Sequence, residues 1–118
     1  GLKAFLNAQF INGFDFLASI ARLEDLLVTQ KYDFVISGEG SLDNTSFYGK
    51  LLGRLIDLTQ EHQSPLLLVC GQSHFDVSAL TNIYIIELLD EETPIAQCLA
   101  QPFPLIENKV FHFFKSLL

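Results

Sequence analysis

The sequence predicts an α/β fold, a three-layer unit in which a short parallel sheet is flanked by helices. Three observations carry that expectation. Apolar runs at Phe34–Ile36, Leu66–Cys70 and Ile83–Ile86 are short and show no polar alternation, the mark of strands buried on both faces. The segment between the first two runs is long enough for the right-handed crossover helix that parallel neighbours require. The chain has 118 residues, enough for one hydrophobic core and too few for two.

The first segment, Gly1 to about Val28, reads as two helices broken at Asn12-Gly13, a pair that tolerates positive φ. Leu2, Phe5 and Leu6 share one face before the break. Phe16, Ile20, Leu23 and Leu27 recur at helical spacing after it, with Asn12 or Asp15 as the cap. Residues 1–29 thus form a helical lead-in to a Rossmann-like α/β part over 30–118, the whole being one segment. A start on Gly1 inside a helical pattern, with no initiating methionine, reads as a piece of a longer polypeptide.

From Tyr32 the texture changes. Phe34, Val35 and Ile36 predict a strand that ends in a glycine-bearing loop, Ser37-Gly38-Glu39-Gly40. Phe47 to His62 reads as a helix with Tyr48, Leu52, Leu55, Ile56 and Thr59 on one side. Pro65 introduces the second strand, which is expected to end at Gly71, and the connection Gln72–Asn82 has room for a short helix around Val77–Leu80. Thr93-Pro94 predicts a cap with proline at the first helical position, opening a helix through Ile95, Cys98 and Leu99. Pro102 and Pro104 break it, and a last helix carries Ile106, Val110, Phe113, Phe114 and Leu117 on one face.

Composition narrows the function classes. A net charge of −7, with seven scattered basic residues, excludes a nucleic-acid binder that relies on phosphate contacts. Hydrophobic residues make up 49%, including 11 Phe, so some apolar surface is expected to meet a partner. Phe5, Phe10, Phe14 and Phe16, or the cluster Phe111–Phe114, are the faces on which a homodimer is expected. Cys70 and Cys98 lack metal or redox spacing and read as buried free thiols in a reducing compartment. No membrane span or signal sequence is recognisable, so a cytoplasmic location is expected.

The richest polar segment is Ser37-Gly38-Glu39-Gly40-Ser41-Leu42-Asp43-Asn44-Thr45-Ser46, which follows the first strand and leads into a helix carrying Lys50. In open parallel sheets ligands bind at the carboxyl ends of the strands. Gly38 and Gly40 permit close backbone approach. Glu39 and Asp43 could hold a metal or take a proton, the N–H groups near Ser46 and Phe47 could cradle a phosphate, and Lys50 could add charge. The same residues also serve as a tight turn, a helix cap and a solvated lysine. The second loop, Gly71 to Asp76, brings His74 and Asp76 close in sequence as an acid–base pair, with Asp76 equally suited to capping. The spacing by itself names no reaction.

The run Ser37-Gly38-Glu39-Gly40-Ser41-Leu42-Asp43, continued by Ser46, Gly49 and Lys50, resembles the pattern of the bacterial glycerate kinase family. That pattern is Ser/Thr-Gly-Glu-Gly-x-hydrophobic-Asp-x-Gln-Ser/Thr-x-x-Gly-Lys. The stretch from Pro65 to Gly71 is similar to the family's proline-led strand, and Gly1–Val28 to its upstream helix pair. Thr45 stands where the family has glutamine. The resemblance implies the C-terminal segment of a larger two-domain kinase that transfers a phosphoryl group from ATP to a glycerate hydroxyl with Mg²⁺. It further implies Asp43, Glu39 and Lys50 as catalytic residues, with Asp43 also organising the metal. Ser37, Gly38, Gly40, Thr45, Ser46 and Gly71 would then contact substrate or nucleotide. On this reading the segment is inactive without the rest of the enzyme; a non-catalytic α/β module derived from the same fold is the other reading.

Overall fold

The computed structural model describes residues 8–9, 11–44 and 51–118. In order, these form α1 (Gly13–Ala21), α2 (Leu23–Thr29), β1 (Val35–Leu42), α3 (Leu51–Glu61), β2 (Leu66–Ser73), β3 (Ile83–Glu87), α4 (Ile95–Ala100) and α5 (Pro102–Ser116). The strands make one parallel sheet in the order β1-β2-β3, with Val35 opposite Leu66 and Leu66 opposite Ile83. The expected α/β arrangement, a short parallel sheet between helices, is the one observed.

β2 explains why both faces are covered. Its residues Leu66 to Cys70 are all buried. Alternate side chains leave a strand on opposite sides, so Leu66, Leu68 and Cys70 enter one core and Leu67 and Val69 the other. The first core is closed by Leu52, Leu55 and Ile56 of α3, with Phe14 of α1 and Leu23 of α2 packed against it. The second is closed by Cys98 of α4 and by Leu105, Ile106, Val110, Phe113 and Phe114 of α5. Each fully buried leucine contributes roughly 1.5–3 kcal/mol of transfer free energy. Both cysteines are buried and free, and burial, assisted by Glu87, pushes the Cys70 thiol up to about 11.

Local chemistry sets the helix ends. The Asn12 side chain accepts the Phe14 N–H at 2.9 Å and opens α1, as its residue type predicts. The predicted single helix after Asn12 is instead divided at Arg22, which takes a left-handed backbone (φ 52°) and closes α1 through its N–H to Ala18 O and Ser19 O. Its guanidinium then holds Asp25 at 2.8 Å in the first turn of α2. On α3, Leu52, Leu55, Ile56 and Thr59 are buried as the spacing predicts, and the Thr59 hydroxyl donates to Ile56 O. The chain leaves α3 through Gln63, also left-handed, with Ser64 N–H bonded to Thr59 O at 2.9 Å. Arg54 links α3 to α1 through Asp15 at 3.2 Å, an exposed pair of little stabilising weight.

Three other expectations are corrected. The connection expected to hold a short helix at Val77–Leu80 contains one turn, closed by Leu80 N–H to Val77 O at 2.8 Å; too few residues separate β2 from β3 for more. Pro102 and Pro104 do not merely break a helix: they occupy the first turn of α5, where the missing proline N–H costs nothing. Phe113 and Phe114 are not free for a partner chain. They join Phe34 and Tyr84 in an edge-to-face cluster with centroids 5.1–5.8 Å apart, which docks α5 on the sheet. Phe111 and Phe16 remain exposed, Phe14 is half-buried against the core, and Phe5 and Phe10 lie outside the described residues. Among the described residues no helix is long and apolar enough to cross a membrane.

A clasp holds α5 to the end of β3. Lys109 Nζ donates to Glu87 O at 2.8 Å and to the Asp90 carboxylate. The hydrogen bond from Lys109, then that from Thr93, lowers the Asp90 carboxyl to about 2. Its folded value lies below the unfolded one, so the stabilisation is present above the ordinary carboxylate range and lost as pH falls toward about 2. Asp90→Asn should be less stable than the parent protein at neutral pH, and urea midpoints of the two should converge as the pH is lowered to that value. In the core, Leu68→Ala should cost ~2–5 kcal/mol. Leu99→Ala, at a position 77% exposed, should stay within ~0.5 kcal/mol in the same titration.

Candidate functional site

The segment expected to be a loop, Ser37 to Leu42, is strand. β1 continues through it, pairing Ser37 with Leu68, Gly38 with Val69, Glu39 with Cys70, Ser41 with Gln72 and Leu42 with Ser73. β2 likewise runs past Gly71 to Ser73. Polar and glycine residues can extend a strand when a neighbour supplies the ladder, and here each strand supplies it for the other.

Leu42 fixes the far end. It is fully buried among Leu52, Leu55, Leu68 and Cys70, and its carbonyl accepts the His74 N–H at 2.7 Å. Asp43 follows directly and is half-buried at the carboxyl end of the sheet. Its place is therefore set by the burial of its neighbour. At about 3.3 Å per residue, Ser37 lies about 20 Å up the strand from Asp43. Ser37, Gly38 and Glu39 thus sit within the ladder, with Glu39 about 13 Å from Asp43 by the same rise and the close approach of Gly40 and Gly71 between them. Thr45, Ser46 and Lys50 lie outside the described residues.

Gly40 and Gly71 form an irregularity at that end. Val35 and Leu42 are an odd number of residues apart and would face opposite sides of a regular strand, yet both pack on the α3 core. Between them Gly40 drops out of the register that its neighbours keep. A Cβ on Gly71 would lie 2.5 Å from Gly40 O, so the Gly40 carbonyl occupies the place of a side chain on β2. A Cβ on Gly40 would meet nothing within 4 Å. The result is bare backbone on both strands, open on the Gly40 side.

The second loop resolves differently from its sequence expectation. Asp76 does not pair with His74; its carboxylate accepts Ser78 N–H at 2.8 Å, and that bond holds its carboxyl below the ordinary value. His74 is exposed. Sequence reading missed Glu87, at the carboxyl end of β3, whose Oε2 accepts Ser73 N–H at 2.8 Å. It lies in one row with Glu39 and Cys70, so Glu39 and Glu87 flank β2 there, with Asp43 four residues further along the chain. A charged residue directly closing the apolar run Ile83–Ile86 is the signal that could have found it.

The model of the glycerate kinase family matches residues 1–117. An uncharacterised protein of Synechocystis sp., slr1840, is 27% identical over 119 residues, covering 100% of this chain and 32% of that protein. A glycerate kinase of Halalkalibacterium halodurans is 31% identical over 71 residues, covering 60% of this chain and 18% of that enzyme. The chain therefore spans a third or less of the length of these relatives. No solved structure matches.

The two glycines give opposite expectations. Gly71→Ala should destabilise by ~1–3 kcal/mol, since the obstructing atom is backbone and must shift. Gly40→Ala should unfold within ~1 kcal/mol of the parent, because the added methyl meets open space. Urea denaturation of both variants checks the pair.

Proposed function

The chain belongs to the glycerate kinase family, and from that premise we propose that it forms one wall of a phosphotransfer site acting on glycerate and ATP. The observation that carries this reading is the position of Asp43, held by the buried Leu42 at the carboxyl end of a parallel strand beside the bare backbone of Gly40 and Gly71. Carboxyl ends of parallel strands are where such folds bind ligands.

In the proposed reaction the glycerate hydroxyl oxygen bonds to the γ-phosphorus of ATP while the bond to the β–γ bridging oxygen breaks. Asp43 takes the hydroxyl proton, and ADP leaves with the bonding electron pair. Glu39 is a second polar contact, and Gly40 admits a ligand close to the main chain. Lys50, with Thr45 and Ser46, would meet phosphate or substrate. Thr45 is shorter than the glutamine of the family pattern and offers a hydroxyl in place of an amide. Phosphoryl transfer depends on positioning and charge neutralisation more than on covalent participation.

The residues fit Mg²⁺ in one manner. Among the described residues no three His, Cys, Asp or Glu side chains gather to hold a metal unaided. Mg²⁺ is usually held by one or two carboxylates together with substrate phosphates, and Asp43 provides such a carboxylate. When bound there the ion would neutralise phosphate charge, which the neighbouring acids would otherwise repel. Because the relatives are far longer, we assign turnover to the longer polypeptide and partial binding to this chain.

Calorimetric titration with Mg-ATP and with glycerate, separately and together, tests the reading. Heat of binding to the parent chain, reduced at least tenfold in affinity by Asp43→Asn, is the expected result, since the carboxylate's charge-assisted contacts are each worth ~1.5–3 kcal/mol. Equal affinities for the parent and Asp43→Asn chains would remove Asp43 from the site.

A further inference from the structure

β2 breaks the alternation of its own ladder beside the candidate site. In a parallel pair, alternate residues turn their main-chain groups to the same neighbour. Leu66 N–H donates to Asn82 O at 2.8 Å, so regular alternation would turn the even-numbered residues of β2 to β3 and the odd-numbered ones to β1. Cys70 obeys, its carbonyl accepting Leu88 N–H at 2.8 Å. Gly71 does not: its carbonyl turns to the same side and accepts Leu89 N–H at 2.9 Å. Beyond it the phase stays reversed, with Ser73 N–H directed to Glu87 and His74 N–H to Leu42 O of β1 at 2.7 Å. This is a bulge, and it falls where the Gly40 carbonyl takes the place of a Gly71 side chain.

A bulge leaves a main-chain group without its ladder partner. Here that group is Ser73 N–H. β3 ends at Glu87, whose main-chain carbonyl accepts Lys109 Nζ at 2.8 Å. The Glu87 side chain supplies the missing acceptor, Oε2 lying 2.8 Å from Ser73 N. We propose that Glu87 is a positioning residue for the candidate site. Its carboxylate stands in for a main-chain carbonyl and locks the reversed end of β2. Through the His74–Leu42 bond it holds the point at which Asp43 leaves the sheet. The lock is independent of any reaction, and only its service to ligand binding rests on the phosphotransfer reading.

Amide hydrogen exchange and calorimetry on Glu87→Ala and Glu87→Gln test the proposal. In the parent chain the Ser73 and His74 amides should both exchange slowly. Glu87→Ala should speed both by about tenfold or more, while Leu67 and Leu68, deep in β2, keep their parent rates. Glu87→Gln keeps an acceptor without the charge and should hold both amides within about threefold of the parent. Affinity for Mg-ATP should follow the same order, falling about tenfold in the alanine variant alone. A parent rate at His74 in Glu87→Ala would overturn the proposal. So would equal loss of protection in the glutamine and alanine variants, which would make charge, not the hydrogen bond, the cause. If Glu87→Ala loses its fold, Glu87→Asp decides: it keeps the charge, withdraws the acceptor by one carbon and should loosen the same two amides. A parent chain that binds no Mg-ATP would sink the phosphotransfer reading and leave the lock to be judged by exchange.

Discussion

Everything in this molecule is arranged around β2, a strand with no polar face. Five consecutive buried residues, Leu66 to Cys70, keep both faces of this strand from water. Helices must cover both faces, and the sequence supplies them from opposite ends: α1, α2 and α3 from before β2, and α4 and α5 from after it. The two cores are separate clusters on opposite faces of the sheet, and β2 contributes buried side chains to both. Packing at the α5 aromatic cluster and at the α3 leucines is therefore coupled through β2, because each holds one side of the same backbone.

That arrangement places the chemistry. Pairing with β2 draws β1 out as strand to Leu42, and burial of Leu42 in the α3 core pins the residue after it. Burial of Leu42 fixes the point in the chain at which Asp43 leaves the sheet. On the other side of β2, Glu87 captures Ser73 N–H, while Lys109 reaches back to Glu87 O from α5. The polar rim of the sheet is thus braced from both layers. Such bracing would serve the proposed phosphoryl transfer, in which the protein must hold charged groups still.

The sequence made the interior of the fold legible and its edges less so. Strand interiors announced themselves as apolar runs, and α3 by the spacing of Leu52, Leu55, Ile56 and Thr59. Asn12 was readable because its side chain does the capping itself. The strand ends were not, since Ser37 to Leu42 and Gln72 to Ser73 become strand only through pairing with residues remote in the chain. Arg22 and Gln63 at left-handed geometry carry no local signature, since glycine is the residue that usually marks such a position. At the candidate site, Glu39 and Asp43 stand out in the motif, whereas Glu87 gives no such signal because its partner, Ser73, lies on another strand. Ser37 and Glu39 are close to Asp43 in sequence, and an extended backbone sets both apart from it in space.

The Gly40 carbonyl at the place of a Gly71 side chain has a consequence for how this site can vary over generations. Most tight contacts in a core are negotiable: a larger residue on one side is accommodated by a smaller one opposite. Here the opposing atom is a main-chain oxygen, which every amino acid possesses. No second-site exchange can make room, so position 71 is closed to all side chains for as long as the chain keeps its path through residue 40. Escape would require rerouting both strand ends at once, with Leu42 and Asp43 carried along. A single glycine is in this way tied to the location of the carboxylate, and drift at one is barred by the need to keep the other.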